Sequence, residues 1–145
     1  MKVNKMNFTF SSVPENVTIT RMLASALGAQ LDLTINELEE LKVAVSEAVS
    51  NAIIHGYSNH PDCFVTLEFE ATDEKLLIDV IDNGCGIPDV KQAMQASFST
   101  DPERMGLGFI FMQSFMDELR VQSEVGNGTR VSMVKYLKSN HSSSH

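Results

Sequence analysis

Five segments of the chain have the hydrophobic pattern of β-strands. Most of them alternate apolar and polar residues, and one forms a short apolar run typical of a central strand. The five segments are residues 3–10, 64–69, 76–81, 119–124 and 129–136. Gly126-Asn127-Gly128 separates the last two segments, which predicts a hairpin. The first segment predicts an edge strand, and the apolar run predicts the central one.

Apolar residues at the helical period follow the first predicted strand. Ser11-Ser12-Val13-Pro14 forms the junction, where we expect a serine hydroxyl to cap the helix and Pro14 to lie in its first turn. The helix should continue to about Gln30. We expect its inward side chains to be Val17, Met22, Leu23, Ala26 and Leu27.

Two further segments have the helical period. One begins at Thr34, whose hydroxyl forms a capping box with Glu37, and it ends at Gly56. The other covers residues 108–119 and follows a polar loop at residues 96–105. Both helices carry enough apolar residues to pack on a sheet.

The order of these elements predicts the fold class. The chain reads strand, helix, helix, strand, strand, a short helix near residues 90–95, loop, helix, strand, strand. Two hairpins and few β-α-β units indicate a mixed, mostly antiparallel sheet with helices on one face. The predicted fold is therefore an α/β two-layer sandwich rather than a doubly wound Rossmann sheet. We expect one domain over residues 1–137 and a disordered polar tail over residues 138–145.

Composition and charge narrow the range of functions. A hydrophobic fraction of 43% argues against disorder. The 19 acidic and 11 basic side chains give a net charge of −8, which repels nucleic-acid backbones, so we expect no nucleic-acid partner. No apolar run resembles a signal peptide or approaches the ~18 residues of a membrane span, so we predict a cytoplasmic protein. We expect Cys63 and Cys85 to be reduced thiols, with a structural disulfide as the alternative.

Glu47, Asn51 and His55 recur at every fourth residue within the second predicted helix. This spacing puts the three side chains on one ridge, a turn apart. A carboxylate can accept a proton and an amide oxygen can bind a hard cation, and phosphoryl transfer from a nucleotide needs both groups. The alternative interpretation is the ordinary polar edge of an amphipathic helix.

Asp82-Asn83-Gly84-Cys85-Gly86 directly follows the predicted central strand. These residue types are common in ordinary turns. They also suit a loop that approaches a flat ligand, because Gly84 and Gly86 carry no side chain and the Asp82 carboxylate can accept a hydrogen bond from an exocyclic amine. Both interpretations remain open from this stretch alone.

Gly106-Leu107-Gly108 precedes the third long helix. The chain contains no P-loop motif, and residues 106–111 lack the third glycine of the dinucleotide fingerprint. The two glycines either end a loop or form a flexible loop that delivers the N–H groups of a helix N-terminus to phosphates. Arg104 is then a candidate partner for a terminal phosphate, although a lone arginine is commonly a solvated charge.

Together, three stretches resemble the boxes of the ATP-binding fold shared by gyrase, Hsp90, histidine kinases and MutL. They are Glu-Ala-Val-Ser-Asn-Ala-Ile-Ile-His-Gly-Tyr (47–57), Asp-Asn-Gly-Cys-Gly-Ile (82–87) and Met-Gly-Leu-Gly-Phe (105–109). The chain is most similar to the serine-kinase branch, the anti-sigma factors of sporulating bacteria. The resemblance covers nearly the whole chain and implies the Bergerat-type ATP-binding fold.

The resemblance implies a role for each matching position at the base and the metal. Asn51 would coordinate a Mg²⁺ ion that bridges the phosphates of ATP or ADP. Asp82 would bind the adenine amino group, with Thr129 assisting through water. Gly84 and Gly86 would bring the loop backbone close to the base.

Further matching positions concern the phosphates and the partner proteins. Gly106 and Gly108 would lie at the phosphates, and Arg104 would reach the γ-phosphate. Glu47 would be the general base for a serine hydroxyl on a partner protein. Arg21 matches a position that grips the sigma factor and its antagonist.

The implied function is a homodimeric protein serine kinase. It would hold a sporulation sigma factor of the sigma F type inactive and phosphorylate the anti-anti-sigma protein that competes for it. The first alternative is a histidine-kinase ATP-binding domain. The carboxylate at Glu47 argues against it, because histidine kinases resemble one another in having an amide at this position. A serine hydroxyl needs a base to become a nucleophile, whereas an imidazole does not. The others are an ATP-dependent clamp without catalysis and a simple ATPase in which Glu47 activates water.

Overall fold

A computed structural model describes residues 2–87, 89–94 and 105–138. The strands are β1 (Asn4–Ser11), β2 (Phe64–Ala71), β3 (Lys75–Asp82), β4 (Glu118–Glu124) and β5 (Gly128–Tyr136). The helices are α1 (Glu15–Ala29), α2 (Ile35–Asn51), a π-helical turn that continues it (Ala52–Gly56), α3 (Val90–Ala93) and α4 (Met105–Phe115). Within these ranges, no helix has the length and hydrophobicity to cross a membrane.

The sheet has the strand order β1-β2-β3-β5-β4, and its described pairings are all antiparallel. Alternate residues of the three inner strands, such as Leu67 and Ile78, are buried and join the buried faces of the long helices in one core. On the opposite face, Glu68 and Asp79 share an ion pair with Arg130. The predicted α/β two-layer sandwich, its mostly antiparallel sheet and the central position of β3 are confirmed.

Helix α2 begins with the predicted capping box. The Thr34 Oγ1 accepts a hydrogen bond from the Glu37 N–H at 3.0 Å, and the Glu37 Oε1 accepts one from the Thr34 N–H at 2.9 Å. The bond from the Thr34 backbone lowers the pKa of Glu37. Such caps are worth about 1 kcal/mol, and this one fixes where α2 starts.

The predicted cap of α1 is wrong. Pro14 occupies the N-cap position and no side chain caps the helix. The Ser12 hydroxyl is instead buried, with no hydrogen-bond partner among the described residues. The fixed backbone angle of Pro14 is enough to start the helix, because proline is already in the conformation that a first turn requires.

Two residues predicted to face inward on α1 are also exposed. Met22 is 64% exposed, and Ala26 lies on the surface as well. The buried residues of this helix are Thr20, Ala24, Leu27 and Gly28. Thr20 can be buried because its hydroxyl donates to the Val17 carbonyl at 2.8 Å. The hydrophobic pattern counts only apolar residues, so it predicted burial for Met22 and Ala26 and not for this threonine.

Helix α4 begins and ends earlier than the predicted span of residues 108–119. It ends at Phe115 because the Asp117 N–H then donates to the Val134 carbonyl at 2.9 Å, which brings the chain into the sheet before β4. The short helix predicted near residues 90–95 is present as α3. The predicted loop at residues 96–105 lies outside the described residues except for Met105, which begins α4. The predicted tail beyond residue 138 also lies outside them.

Candidate functional site

The end of α2, the end of β3 and the β4–β5 hairpin meet around one cavity. Asn51, Asp82, Gly86 and Thr129 all line it, together with His55. These residues come from separate parts of the sequence, so the fold assembles the predicted group. The cavity has a volume of about 20 Å³, which is room for one water molecule. A larger ligand therefore enters only when the walls move.

Glu47 and Asn51 lie one turn apart on α2, as the four-residue spacing predicts. Helix α4 packs against them at Gly108. A Cβ atom on Gly108 would lie 2.9 Å from the Glu47 Oε1 and 3.3 Å from the Asn51 Nδ2. A larger residue than glycine at this position would therefore displace the carboxylate and the amide.

The Asn51 side chain has an unsatisfied polar atom. Its Nδ2 is buried and has no hydrogen-bond partner among the described residues. Leaving a buried polar group unpaired costs about 1–3 kcal/mol. An amide in this state beside the Glu47 carboxylate fits a site that is completed by a polar ligand. The Nδ2 is a donor, so an acceptor such as a phosphate oxygen would satisfy it, while the Oδ1 of the same amide is the atom that could bind a magnesium ion.

The described residues contain no other arrangement that suits a metal. No group of three or more His, Cys, Asp or Glu side chains in these ranges is placed to hold an ion. Cys63 and Cys85 are free thiols, which agrees with the prediction of reduced cysteines. A metal at this site would therefore depend on Asn51 and on oxygen atoms of the nucleotide.

Asp82 ends β3 with its carboxylate almost fully buried, at 5% exposure. Burial raises the pKa of Asp82, and the hydrogen bonds from the Gly84 and Thr129 N–H groups oppose part of that rise. The bond from Gly84 to the Asp82 Oδ1 is 2.9 Å long. A buried carboxylate with free acceptor capacity can bind an exocyclic amino group of a ligand.

The loop after Asp82 is attached to the end of α2. The Gly56 carbonyl accepts a hydrogen bond from the Cys85 N–H at 3.0 Å. The Tyr57 hydroxyl accepts one from the Asn83 N–H at 2.6 Å and donates to the Phe64 carbonyl at 2.7 Å. Sequence reasoning missed this role of Tyr57, although the residue ends the first of the three resembling stretches.

The same loop is attached to the β4–β5 hairpin. The Cys85 carbonyl accepts from the Gly126 N–H at 2.8 Å, and the Ser123 Oγ accepts from the Ile87 N–H at 2.7 Å. Gly86 has a φ of +79°, and a Cβ there would lie 2.3 Å from the Glu124 carbonyl oxygen. Ser123 is a second residue that sequence reasoning missed, because a serine in an edge strand gives no signal of its own.

The π-helical turn brings the Gly56 backbone to this loop. Its hydrogen bond runs from the Tyr57 N–H to the Ala52 carbonyl, five residues back. A Cβ on Gly84 would lie 1.9 Å from the Gly56 oxygen. Gly84 is thus required by contact with the protein's own backbone, and its predicted approach to a ligand stays a prediction. π-Helical turns are often found at functional sites.

Four further predicted site residues lie on α4, on α1 or outside the described ranges. The structure places Gly106 and Gly108 in the first turn of α4 rather than in a loop, because the helix begins at Met105. Their N–H groups still belong to a helix N-terminus, where the first four have no acceptor within the helix. Arg104 lies outside the described residues. Arg21 is on α1 and donates from Nη2 to the Ser46 Oγ at 3.3 Å.

A larger concavity, of about 480 Å³, lies on the outer face of the sheet. Its charged lining residues are already paired, since Lys5 lies 3.9 Å from Glu70, and Glu68 and Asp79 share Arg130. None of the glycine-containing stretches reaches it. The smaller cavity is therefore the candidate site.

Comparisons with known proteins agree with this geometry. The histidine kinase-like ATPase domain family matches residues 10–135. The anti-sigma F factor of Clostridium beijerinckii is 47% identical over 93% of this chain and 96% of its own length. Those of Geobacillus kaustophilus and Caldanaerobacter subterraneus are 46% and 48% identical, over 92% and 94% of this chain and 93% and 96% of their own lengths.

Two solved structures share the fold. One contains the RsbU and RsbW domains of a Mycobacterium tuberculosis protein, with a TM-score of 0.67 and 18% identity, covering 92% of this chain and 32% of that one. The other is a blue-light activated histidine kinase from Erythrobacter litoralis, with a TM-score of 0.56 and 24% identity, covering 77% and 34%. At these identities the likeness concerns the fold alone. The family match and the curated relatives show that this chain belongs to the anti-sigma F factors and has a histidine kinase-like ATPase domain.

Proposed function

We propose that this chain binds ATP with Mg²⁺ and transfers the γ-phosphate to a serine of an anti-anti-sigma protein. The observation that carries the proposal is the pairing of the Glu47 carboxylate with the Asn51 amide, whose buried Nδ2 has no partner among the described residues, one turn apart on α2. The pair lies beside the cavity that Asp82 and Thr129 line. A base for a hydroxyl and a ligand for a hard cation are the groups that this transfer needs.

Each group near the cavity has a task in the proposed reaction. Asp82 accepts a hydrogen bond from the adenine amino group, and the Asn51 Oδ1 would hold a Mg²⁺ ion, which would offset the charge of the phosphates. The first-turn N–H groups at Gly106 and Gly108 hold phosphate oxygens. Arg104, which lies outside the described residues, is the proposed partner of the γ-phosphate.

Glu47 carries the chemical step. Its carboxylate accepts the proton of the serine hydroxyl while the hydroxyl oxygen forms a bond to the γ-phosphorus. The bond from that phosphorus to the β–γ bridging oxygen breaks, which leaves ADP. General-base catalysis of this kind contributes about 10²–10⁴-fold to a rate.

The decisive experiment compares Glu47→Gln with Glu40→Gln, a matched change two turns earlier on α2. With γ-labelled ATP and the anti-anti-sigma protein, Glu47→Gln should lower serine phosphorylation by about 10²–10⁴-fold while calorimetry shows ATP binding unchanged. Glu40→Gln should behave like the unaltered protein. Normal transfer by Glu47→Gln would remove Glu47 as the base. Phosphate release without the partner protein would instead favour a simple ATPase.

We also propose that the ATP-bound protein holds a sigma factor of the sigma F type inactive. The names of its close relatives support this, and the proposed contact residue is Arg21, an exposed residue of α1 whose Nη2 donates to Ser46. Arg21→Ala should weaken capture of the sigma factor without changing ATP affinity. Arg120→Ala removes an exposed arginine from β4 and serves as the control. Undiminished capture by Arg21→Ala would count against the assignment.

The proposed assembly is a homodimer formed through β1 and α1. Strand β1 is an edge of the sheet, and Ile19 and Met22 on α1 are 52% and 64% exposed. Unpaired edges and exposed apolar side chains favour association. Ile19→Glu should yield a monomer in sedimentation experiments, whereas Ile35→Glu, at an isoleucine that is 81% exposed on α2, should leave a dimer. A monomeric unaltered protein would contradict the proposal.

A further inference from the structure

The Ser123 hydroxyl is the centre of a small hydrogen-bond network beside the candidate site. Its Oγ lies 2.7 Å from the Ile87 nitrogen, 2.8 Å from the Thr129 Oγ1 and 3.1 Å from the Gly128 carbonyl oxygen. Ser123 is half-buried on β4, and Thr129 is 8% exposed and lines the cavity. Ser123 therefore contacts a residue of the site without lining the cavity itself.

Proton counting fixes the direction of these bonds. The Ile87 N–H can only donate and the Gly128 carbonyl can only accept, while the serine hydroxyl has one proton and two lone pairs. All three contacts are satisfied only when Ser123 donates to Gly128 and accepts from both Ile87 and Thr129. In the reverse arrangement, with Ser123 donating to Thr129, the contact to Gly128 has no proton.

This direction decides what Thr129 presents to the cavity. Its one hydroxyl proton points to Ser123, so only lone pairs of the Thr129 oxygen remain for a ligand. Asp82 is the register partner of Thr129 in the β3–β5 ladder, and its ionised carboxylate also only accepts. The two side chains together form a wall of hydrogen-bond acceptors.

We propose that Ser123 is a positioning residue that makes the site select a 6-amino purine over a 6-keto purine. An amino group donates to this wall, whereas a keto oxygen faces lone pairs and gains no hydrogen bond. The inference rests on the proposed nucleotide binding and extends it, since it assigns base selectivity to a residue that does not touch the base. Without the serine oxygen, the Thr129 hydroxyl is free to rotate and to donate to a keto group.

The test compares the affinities for ATP and ITP, which carry an amino group and a keto group at position 6, with N1 unprotonated in ATP and protonated in ITP. The unaltered protein should prefer ATP, and Ser123→Ala should lower the ratio of the two affinities by roughly 3- to 10-fold, as expected for one hydrogen bond. Ser123→Thr keeps the hydroxyl and should keep the ratio. Ser132→Ala removes a half-buried serine from the outer face of β5 and should also leave the ratio unchanged.

A second comparison separates this role from a merely structural one. Loosening the loop at Ile87 would weaken the binding of ATP and of ITP alike, so the ratio of the two affinities would not change. In a Thr129→Val background, Ser123→Ala should have no further effect on the ratio, because the hydroxyl that it releases is absent. Binding of neither nucleotide by the unaltered protein would overturn the proposed function. If the unaltered protein binds ATP but Ser123→Ala leaves the ratio of the ATP and ITP affinities unchanged, this inference alone would be overturned.

Discussion

Replacing Gly86 with alanine tests the account of the loop most directly. The residue has a φ of +79°, and an added Cβ would lie 2.3 Å from the Glu124 carbonyl oxygen and 2.7 Å from the Glu124 carbonyl carbon. These atoms belong to the backbone of the β4–β5 hairpin, so a side-chain rotation cannot relieve the clash. The alanine therefore forces the loop and the hairpin apart.

Gly126 offers a matched control on the same hairpin. Its φ is +84°, but a Cβ there would meet nothing within 4 Å. Alanine at either position incurs the left-handed backbone strain of about 1–2 kcal/mol. Only Gly86→Ala adds overpacking, which costs about 1–3 kcal/mol. The effect of alanine on the unfolded chain is the same at both positions and cancels in the comparison.

We therefore expect Gly86→Ala to lower the free energy of unfolding by about 2–5 kcal/mol and Gly126→Ala by about 1–2 kcal/mol. Urea unfolding followed by circular dichroism measures both values, provided that the slope against urea stays the same. Calorimetry should show that Gly126→Ala retains ATP binding and that Gly86→Ala loses it. Equal losses of stability in the two variants would refute the close approach of Gly86 to the hairpin.

Three further changes have distinct expected outcomes. Asn51→Ala should abolish Mg²⁺-dependent nucleotide binding in calorimetry, and unchanged affinity would exclude its metal role. Asp82→Asn should lose ATP binding, and its free energy of unfolding should depend less on pH than that of the unaltered protein. Because burial raises the pKa of Asp82 in the folded chain above the unfolded value of 3.8, the unaltered protein should lose stability as pH rises from 3.8 through the folded pKa, and Asp82→Asn should not show this loss. Thr34→Ala should destabilise the fold by about 1 kcal/mol in urea while leaving ATP affinity unchanged.

The sequence predicted features that depend on neighbours along the chain. The capping box of Thr34 and Glu37, the hairpin around residues 126–128 and the one-turn spacing of Glu47 and Asn51 are local patterns, and all three are present. The residues of the cavity were identified through the resemblance, and the fold brings them together. Their chemical roles stay predictions.

Contacts between distant residues were not predictable in the same way. The burial of Thr20 depends on a hydrogen bond within α1, which a count of apolar residues does not register. Tyr57 and Ser123 lie far apart in sequence, and only the folded chain shows that both hold the same loop. The early start of α4, which places Gly108 inside the helix, was not predicted, because glycines before an apolar segment are typical of a loop.

The small size of the cavity affects how nucleotide would enter. At about 20 Å³ it has no room for a purine, so some of its walls, which α2, β3, α4 and β5 supply, have to move before a base can enter. The measured affinity is then the affinity of the open form multiplied by the fraction of molecules that are open. The association rate should level off at high ATP concentration, at the speed of opening. Under the proposed function, the ease with which these walls separate contributes to the affinity for ATP.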